Sequence, residues 1–213
     1  MTRRPPARRA SPAASAMGDS SIRIIGGAFR GRRLSVLGAD DLRPTTDRVR
    51  EAIFNALGTA GLAAPAQVVD LFSGSGAMGL EALSRGAGHV TFVERNRLAA
   101  ERIRENVTRI GVTERTTVVV ADALEWLRRP ETRATGFDLA FCDPPYRFDM
   151  WQTLCNDLSE AGVGFVVAET GDELAAPDAS YEVVRSRRYS RSWVTFLEQR
   201  SGDTTTSGDD SAL

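Results

Sequence analysis

Apolar runs and amphipathic segments alternate regularly along the chain from residue 67 onward. Seven segments rich in β-branched, aromatic and leucine residues predict strands, which are Gln67–Phe72, His89–Glu94, Thr116–Asp122, Phe137–Asp143, Gly164–Glu169, Tyr181–Arg187 and Trp193–Glu198. Apolar residues at helical spacing predict helices over Ala77–Arg85, Asn96–Ile110, Ala123–Arg128 and Met150–Glu160. Four strand–helix units followed by a terminal pair of strands predict a doubly wound, mostly parallel α/β sheet.

A smaller unit precedes this alternation. Ile22–Ile25, the Gly26–Gly27 pair and Arg32–Leu37 predict a short hairpin. A helix is expected to begin at Thr45–Thr46–Asp47 and to end at Gly58, with an apolar stripe formed by Val49, Ile53, Ala56 and Leu57. We therefore divide the chain into a disordered basic arm (1–21), a hairpin-and-helix unit (22–58), the α/β core (59–200) and a disordered polar tail (201–213).

Charge is unevenly distributed along the chain. The 27 basic residues, all of them arginine, nearly balance 28 acidic residues, and the net charge is −1. Residues 1–50 hold 11 arginines against 4 aspartates, a net charge of +7, which leaves −8 for the remainder. This asymmetry favours a basic N-terminal surface that contacts an anionic partner.

The composition excludes several classes of protein. Two cysteines and one histidine rule out a disulfide scaffold and a His/Cys zinc cage, and we expect no metal. Strand alternation makes Cys142 a core residue rather than a nucleophile. No apolar stretch reaches the roughly 18 residues of a membrane span. Because the apolar segment of a secretion signal is also missing, we expect a cytoplasmic protein. We separately expect it to act as a monomer.

A glycine-rich loop joins the first core strand to its helix. Gly74, Gly76 and Gly79 form a G-x-G-x-x-G pattern, and Glu94 ends the next predicted strand 20 residues after Gly74. This spacing is typical of a dinucleotide site in which the carboxylate binds ribose hydroxyls. A tight strand-to-helix turn alone also requires glycine, so the pattern by itself is weak.

Acidic residues indicate which ligand the loop binds. Asp70, Glu94, Asp122 and Asp143 are expected to end four successive strands, and the carboxyl ends of such strands meet in one crevice. Four carboxylates suit a ligand with an ammonium and a sulfonium group and repel a pyrophosphate. S-adenosylmethionine is therefore favoured over NAD, for which no hydride-transfer partner residue is evident. Asp122 is expected to accept the adenine amine, with the Ala123 amide at a ring nitrogen.

The tetrapeptide Asp143–Pro144–Pro145–Tyr146 is the most specific short motif in the chain. An exocyclic amine conjugated to a ring is a poor nucleophile. The Asp143 carboxylate and the Pro144 carbonyl can each accept one N–H, which favours a pyramidal nitrogen with its lone pair aimed at a methyl donor. Proline fixes φ near about −65°, and Tyr146 offers a ring on which a splayed-out base can stack. The motif predicts N-methylation, whereas an ordinary chain stop is the simpler alternative.

Several runs of residues together resemble a known family. They are Ile24–Gly27, Arg30–Arg32, Arg43–Glu51, Phe54–Asn55, Asp70–Phe72, Gly74–Gly76, Gly79–Ala82, Glu94–Arg95, Asn106 and Asp143–Tyr146. Over about residues 22–200 they resemble the RsmD family, bacterial methyltransferases that act on a guanine N2 of 16S rRNA. The resemblance implies a seven-stranded class I, Rossmann-like methyltransferase fold, S-adenosylmethionine as the cofactor, and a partly or fully assembled 30S subunit as the substrate.

The resemblance also implies roles for individual residues. The cofactor set is Asp70, Gly74 and Gly76 at the methionine end, Glu94 at the ribose, Asp122 and Ala123 at the adenine, Phe72 and Arg95 within the matching runs, and Arg43 and Thr45 in closing the site. Asp143, Pro144, Pro145 and Tyr146 would hold the target base. The family usually has glycine after the aromatic residue near its last strands, whereas here Ser190 follows Tyr189.

Two arginine clusters are candidates for contacts with RNA phosphates. They comprise Arg23, Arg30, Arg32 and Arg33 before the core, and Arg187 and Arg188 near its end. A solvated charged edge that discourages strand pairing is the alternative. Other functions stay open at this point: methylation of adenine N6 or of a protein glutamine amide by the same site, or a nucleic-acid-binding module with a vestigial pocket.

Overall fold

The computed structural model describes residues 21–36, 47–145, 147–175 and 180–200. The strands are β1 (Ser21–Arg23), β2 (Arg33–Ser35), β3 (Gln67–Leu71), β4 (His89–Glu94), β5 (Thr116–Val120), β6 (Phe137–Cys142), β7 (Val163–Thr170), β8 (Tyr181–Tyr189) and β9 (Ser192–Gln199). The helices are α1 (Asp47–Thr59), α2 (Ala77–Ser84), α3 (Arg97–Ile110), α4 (Ala123–Leu127), α5 (Pro130–Arg133) and α6 (Trp151–Glu160). The expected disorder of the basic arm and the polar tail concerns residues that, apart from Ser21, lie outside the described part.

Seven strands form one sheet in the order β5-β4-β3-β6-β7-β9-β8. The strands from β5 to β7 pair in parallel, while β9 pairs antiparallel with both β7 and β8. The strands β1 and β2 form a separate antiparallel hairpin. The prediction of a doubly wound, mostly parallel sheet preceded by a small hairpin is therefore confirmed.

Two hydrophobic clusters cover the two faces of the sheet. Successive side chains of a strand point to opposite faces, so Val68 packs in a cluster with Ile53 and Ile103, and Val69 packs in another with Leu154. Cys142 lies in the second cluster and is buried, as expected of a core residue. Both faces of the parallel region are thus closed by helices, which a parallel sheet requires.

The predicted core elements are all present, and most of their ends differ by one or two residues. The Asn96 cap is confirmed, since its side chain accepts hydrogen bonds from the amides of Leu98 and Ala99. The predicted strand 116–122 ends earlier, at Val120, because the chain turns there to make Asp122 the N-cap of α4. Helix α5 was not predicted, since a single turn is too short to show helical periodicity.

Ser190 lies in the tight turn between β8 and β9 with φ 55°. This is the left-handed region, which costs a non-glycine residue about 1–2 kcal/mol. The glycine usual in the resembling family suits that conformation. The turn is nevertheless formed with serine, and the strand pairing of Tyr189 with Ser192 closes it.

Buried polar side chains fasten the N-terminal hairpin to the core. The carboxylate of Glu81, with no solvent exposure, accepts hydrogen bonds from the backbone amides of Ile25 and Gly26 at 2.7 and 2.9 Å. Asn106, equally buried, exchanges two hydrogen bonds with the backbone of Ser35, each 2.9 Å long. The hairpin is therefore docked on α2 through the loop that follows β1 and on α3 through β2.

Among the described residues, no helix has the length and apolarity needed to cross a membrane.

Replacing Glu81 by glutamine should destabilise this docking. The glutamine side chain keeps one oxygen acceptor but places an NH₂ donor against the backbone N–H of Ile25 or Gly26. It also loses the ion pair with Arg85. We expect Glu81→Gln to lower the free energy of unfolding by about 2 kcal/mol, as for a lost hydrogen bond to a buried charge.

Urea unfolding measures this loss, and hydrogen exchange of the Ile25 and Gly26 amides locates it. Glu105→Gln is the matched control, because Glu105 is 60% exposed and only pairs with Arg102, so its loss should cost no more than about 0.5 kcal/mol. Equal effects of the two substitutions would contradict the docking role of Glu81.

Candidate active site at the carboxyl ends of the strands

A cavity of about 500 Å³ opens where β5, β4, β3 and β6 end. Its lining includes most of the predicted cofactor residues, namely Asp70, Phe72, Gly74, Glu94, Arg95, Asp122 and Ala123, together with Asp143, Pro144 and Pro145. The four predicted carboxylates are therefore brought together. Gly76 lies between two lining residues, Ser75 and Ala77, and its contact with the ligand stays a prediction.

Each glycine of the loop occupies a position where a side chain would strain the backbone or clash with a neighbour. Gly74 and Gly76 have φ of 51° and 73°, in the left-handed region that favours glycine. A Cβ on Gly79 would lie 2.4 Å from Cε1 of Phe92, so only glycine lets α2 pack this closely on β4. Phe72 also has positive φ, 56°, which is strain of the kind that collects at functional sites.

Glu94 fastens the glycine loop to β4. Its Oε2 accepts the Gly74 amide at 2.8 Å and its Oε1 accepts the Asn96 amide at 2.7 Å. Each carboxylate oxygen has a second lone pair, so these bonds leave capacity for ribose hydroxyls. The sequence indicated the ligand role alone, whereas the geometry adds this structural one.

Asp70 is a buried acid in the floor of the cavity. It is the penultimate residue of β3 rather than the last, is 4% exposed, and accepts the Gly79 amide at 2.9 Å. Burial raises the pKa of Asp70 to about 8; the Gly79 bond opposes this rise, and the nearby carboxylates of Asp143 and Glu94 add to it. A cation bound here would relieve the repulsion and favour the ionised form.

Asp122 and Ala123 lie at the far end of the same cavity. One oxygen of Asp122, Oδ1, caps α4 by accepting the amides of Leu124 and Glu125. Both Asp122 and the buried Ala123 still line the cavity. These hydrogen bonds fix the carboxylate in place, which suits a group that accepts a hydrogen bond from one edge of a heterocycle.

The hairpin-and-helix unit also contributes to the cavity wall. Ile22, Val36 and Arg50 line it. Arg50 is 1% exposed, and its Nη2 donates to the carbonyl of Arg23 and to Asp47 Oδ1 at 3.0 and 2.8 Å. Burial lowers the pKa of its guanidinium, while the Asp47 carboxylate opposes this effect.

Two further predicted cofactor residues, Arg43 and Thr45, lie outside the described residues.

A second, smaller cavity of about 210 Å³ adjoins the first. Asp143, Pro144 and Pro145 line both cavities. Phe148, Trp151, Leu174 and Glu169 line the smaller one alone, among other residues. Tyr146 lies outside the described residues. Asp143–Pro145 thus stands between the larger cavity, which both carboxylates and arginines line, and the smaller one, which aromatic side chains and carboxylates line.

The candidate RNA-binding arginines are all exposed but differ in what they contact. Arg23 pairs with Asp47 at 2.6 Å, and Arg32 donates to the carbonyls that end α3. On β8, Arg187 lies over the ring of Tyr189 and Arg188 donates to the carbonyl of Ser190. The two clusters lie on the hairpin region, which also holds Arg30 and Arg33, and on the edge strand of the sheet.

Three polar residues have structural or cavity-lining positions that no sequence pattern singled out: Glu81, Asn106 and Glu169. Glu81 and Asn106 belong to the runs that resemble the family, but their docking roles depend on residues 55 to 71 positions away. Glu169 ends a strand that was predicted, so the same strand-end signal that selected Asp143 was present for it. In the part of the chain that the structure describes, no group of His, Cys, Asp and Glu is arranged to hold a metal ion.

The raised pKa of Asp70 predicts a specific dependence of stability on pH. Between the unfolded value of about 4 and about 8, the folded protein keeps a proton on Asp70 that the unfolded chain has lost. The contribution of Asp70 to the free energy of unfolding therefore falls as the pH rises through this window. Asp70→Asn cannot titrate and retains an acceptor for the Gly79 amide.

We expect the stability of Asp70→Asn relative to the original protein to increase from pH 5 to pH 8 and then to level off. Urea unfolding at a series of pH values measures the difference. Asp138→Asn, at an exposed carboxylate that accepts the Gln67 amide, is the control for removal of an aspartate. A difference that stays constant across the series would contradict a buried, protonated Asp70.

Comparison with known proteins agrees with this geometry. The family model described as "Conserved hypothetical protein 95" matches residues 22–198. Ribosomal RNA small subunit methyltransferase D of Escherichia coli K12 is 41% identical over 145 residues, which cover 68% of this chain and 70% of that protein. YlbH of Bacillus subtilis 168 is 35% identical over 185 residues, covering 84% of this chain and 100% of that protein.

Solved structures show the same fold over most of the chain. The structure of yhhF from Escherichia coli has a TM-score of 0.75 and 34% identity, covering 85% of this chain and 99% of that chain. The protein TTHA0928 of Thermus thermophilus has a TM-score of 0.69 and 32% identity, covering 83% of this chain and 99% of that chain. By its family model and these relatives, the chain belongs to the RsmD family, that of ribosomal RNA small subunit methyltransferase D.

Proposed function

We propose that this chain transfers a methyl group from S-adenosylmethionine to the exocyclic N2 amine of a guanine in the 16S rRNA of the small ribosomal subunit. The observation that carries the proposal is that Asp143–Pro145 lines two adjoining cavities. A donor held in the larger one and an amine held in the smaller one would meet at this segment. The names of the related methyltransferases support ribosomal RNA as the substrate.

The larger cavity fits a cationic cofactor. When bound, S-adenosylmethionine supplies a methyl group made electrophilic by a sulfonium. Asp70 would face its positive charge, and Glu94 its ribose hydroxyls. Asp122 and Ala123 would bind the adenine, with Phe72, Gly74 and Arg95 beside the ligand and Gly76 shaping the loop. The fit rests on the chemistry of this lining, in which four carboxylates outnumber the three guanidinium groups of Arg50, Arg95 and Arg102.

Asp143 and Pro144 prepare the amine for attack. The Asp143 carboxylate and the Pro144 carbonyl each accept one N–H of the target, which withdraws the nitrogen lone pair from the ring. Pro145 restrains the segment, and Tyr146 provides a stacking surface. The N–C bond forms as the C–S bond breaks and its electron pair stays on sulfur; the extra proton on nitrogen then passes to water. The protein acts mainly by positioning the reactants.

The hairpin-and-helix unit supports RNA binding and closure of the cofactor site. Its Ile22, Val36 and Arg50 already line the larger cavity, and Arg43 and Thr45 would complete that wall. Exposed arginines, namely Arg23, Arg30, Arg32, Arg33, Arg187 and Arg188, would contact phosphates of the 30S particle. The reaction would take place in the cytoplasm, where the small subunit assembles, with the chain acting as a monomer.

Transfer of labelled methyl from S-adenosylmethionine tests the proposal directly. The acceptors are 30S subunits that lack the modification, naked 16S rRNA, duplex DNA and a protein lysate, and the product is digested and identified. N2-methylguanosine from 30S subunits is the expected result. N6-methyladenine or methylglutamine would overturn the proposed substrate, and no transfer to any acceptor would favour the binding module.

Two substitutions should separate the chemical step from cofactor binding. Asp143→Ala removes one of the two acceptors of the target amine, so we expect turnover to fall about 100-fold or more with little change in cofactor affinity. Glu94→Gln loses one acceptor for a loop amide or a ribose hydroxyl, so we expect the dissociation constant of the cofactor to rise about 10-fold. Calorimetry and single-turnover kinetics give the two quantities.

Glu182→Gln is the control, at an exposed carboxylate on β8 outside both cavities. Equal loss of cofactor affinity in the Asp143 and Glu94 variants would contradict this division of roles.

A further inference from the structure

A second carboxylate stands next to Asp143 in the smaller cavity. Cys142 of β6 pairs with Ala168 of β7, so the next residues, Asp143 and Glu169, lie side by side. Neighbouring strands are about 4.8 Å apart, and both residues line the cavity. Glu169 is also paired with Val194 of β9, which holds its backbone firmly in the sheet.

The walls of the smaller cavity suit one flat heterocycle. Phe148 contacts Phe72 edge-on at 5.5 Å between ring centroids and contacts Trp151 edge-on at 5.4 Å. Phe148, Trp151 and Pro145 give the cavity an apolar part, and its carboxylates are those of Asp143, Glu169, Asp172 and Glu173. Of the last three, Glu169 is the one that the strand pairing places beside Asp143. The cavity volume of about 210 Å³ lies below the roughly 300–1,000 Å³ of ordinary ligand pockets, so the cavity fits a single base rather than a longer stretch of nucleic acid.

Asp143 and Pro144 alone do not choose between bases. Both are acceptors, and any exocyclic amine of adenine, cytosine or guanine has two N–H groups to offer them. The ring atoms beside the amine differ among the three bases. The guanine amine has the N1–H donor on one side and the N3 lone pair on the other. The adenine and cytosine amines have a lone-pair nitrogen on one side and a carbon on the other, so guanine alone offers a second donor beside its amine.

We propose that Glu169 is the residue that selects guanine, by accepting its N1–H while Asp143 accepts the adjacent N2–H. Two carboxylates on neighbouring strand ends match two neighbouring donors on the base. With adenine or cytosine, the Glu169 carboxylate would instead face a ring-nitrogen lone pair, and this contact between two acceptors is strongly unfavourable. This inference rests on the proposed function and adds the basis of its choice of base.

2-Aminopurine tests the inference, because it keeps the 2-amine and replaces N1–H by a lone pair. Once the methylated nucleotide has been mapped, 30S subunits are reconstituted with guanine or 2-aminopurine at that position, and kcat/KM is measured for both. We expect the original protein to prefer guanine by about 100-fold, the effect of one hydrogen bond to a charged group.

Glu169→Gln should reduce this preference to about 10-fold or less, since its amide can rotate and donate N–H to the lone pair of 2-aminopurine. The rate with 2-aminopurine should rise in absolute terms, which a merely damaged site would not produce. Glu169→Ala, which has neither acceptor nor donor, should lose the preference without that rise. Glu198→Gln, an exposed carboxylate on β9 outside the cavity, should keep the original preference.

An unchanged preference in both Glu169 variants, or an equal loss of rate with both bases, would overturn the inference and leave the proposed function intact. Failure of the original protein to form N2-methylguanosine on guanine-containing subunits would instead overturn the proposed function, and this inference with it. The two failures are therefore distinguishable in one set of assays.

Discussion

The position of β3 between β4 and β6 is the constraint on which the rest of the site depends. The chain leaves β3 on one side to form β4 and β5, and it returns on the other side to form β6 and β7. The connections therefore diverge above the end of β3 and leave a crevice there. Because these five strands are parallel, their carboxyl ends share one edge, and five acidic residues come together along it: Asp122, Glu94, Asp70, Asp143 and Glu169. An antiparallel strand at any of these places would carry its acid to the opposite edge.

Burial raises the pKa of Asp70, and the nearby carboxylates of Asp143 and Glu94 add to the rise. Placing these groups together in a partly buried crevice is therefore unfavourable in the absence of a ligand. Backbone amides offset part of this cost. Gly79 donates to Asp70, Gly74 and Asn96 donate to Glu94, and the first amides of α4 donate to Asp122. The same bonds fix the glycine loop, so the groups that lower the electrostatic cost also set the shape of the cavity. A cationic ligand would reduce the remaining repulsion between these carboxylates, so the crevice favours a positively charged ligand.

Local sequence signals predicted the core of this architecture, since each depends on residues close together along the chain. Apolar periodicity placed the strands and the Asn96 helix, and the strand-end acids indicated the crevice. The docking roles of Glu81 and Asn106 could not be predicted, because their partners lie 55 or more residues away and no local pattern marks them.

Glu169 is a different case. The predicted strand ended at this residue, but its proposed contact with the target base depends on the pairing of β6 with β7, and periodicity does not give strand order.

The hairpin-and-helix unit contributes to two parts of the proposed reaction. Its exposed arginines are candidates for RNA contact, while its Ile22, Val36 and Arg50 form part of the wall around the proposed cofactor cavity. Glu81 holds the loop after β1 to α2, and Asn106 holds β2 to α3. Helix α2 itself begins at the glycine loop. A force that RNA exerts on the hairpin would therefore act, through these partly buried hydrogen bonds, on elements that also shape the cofactor cavity. On this argument the N-terminal unit belongs to the catalytic core in physical terms, although its sequence pattern sets it apart.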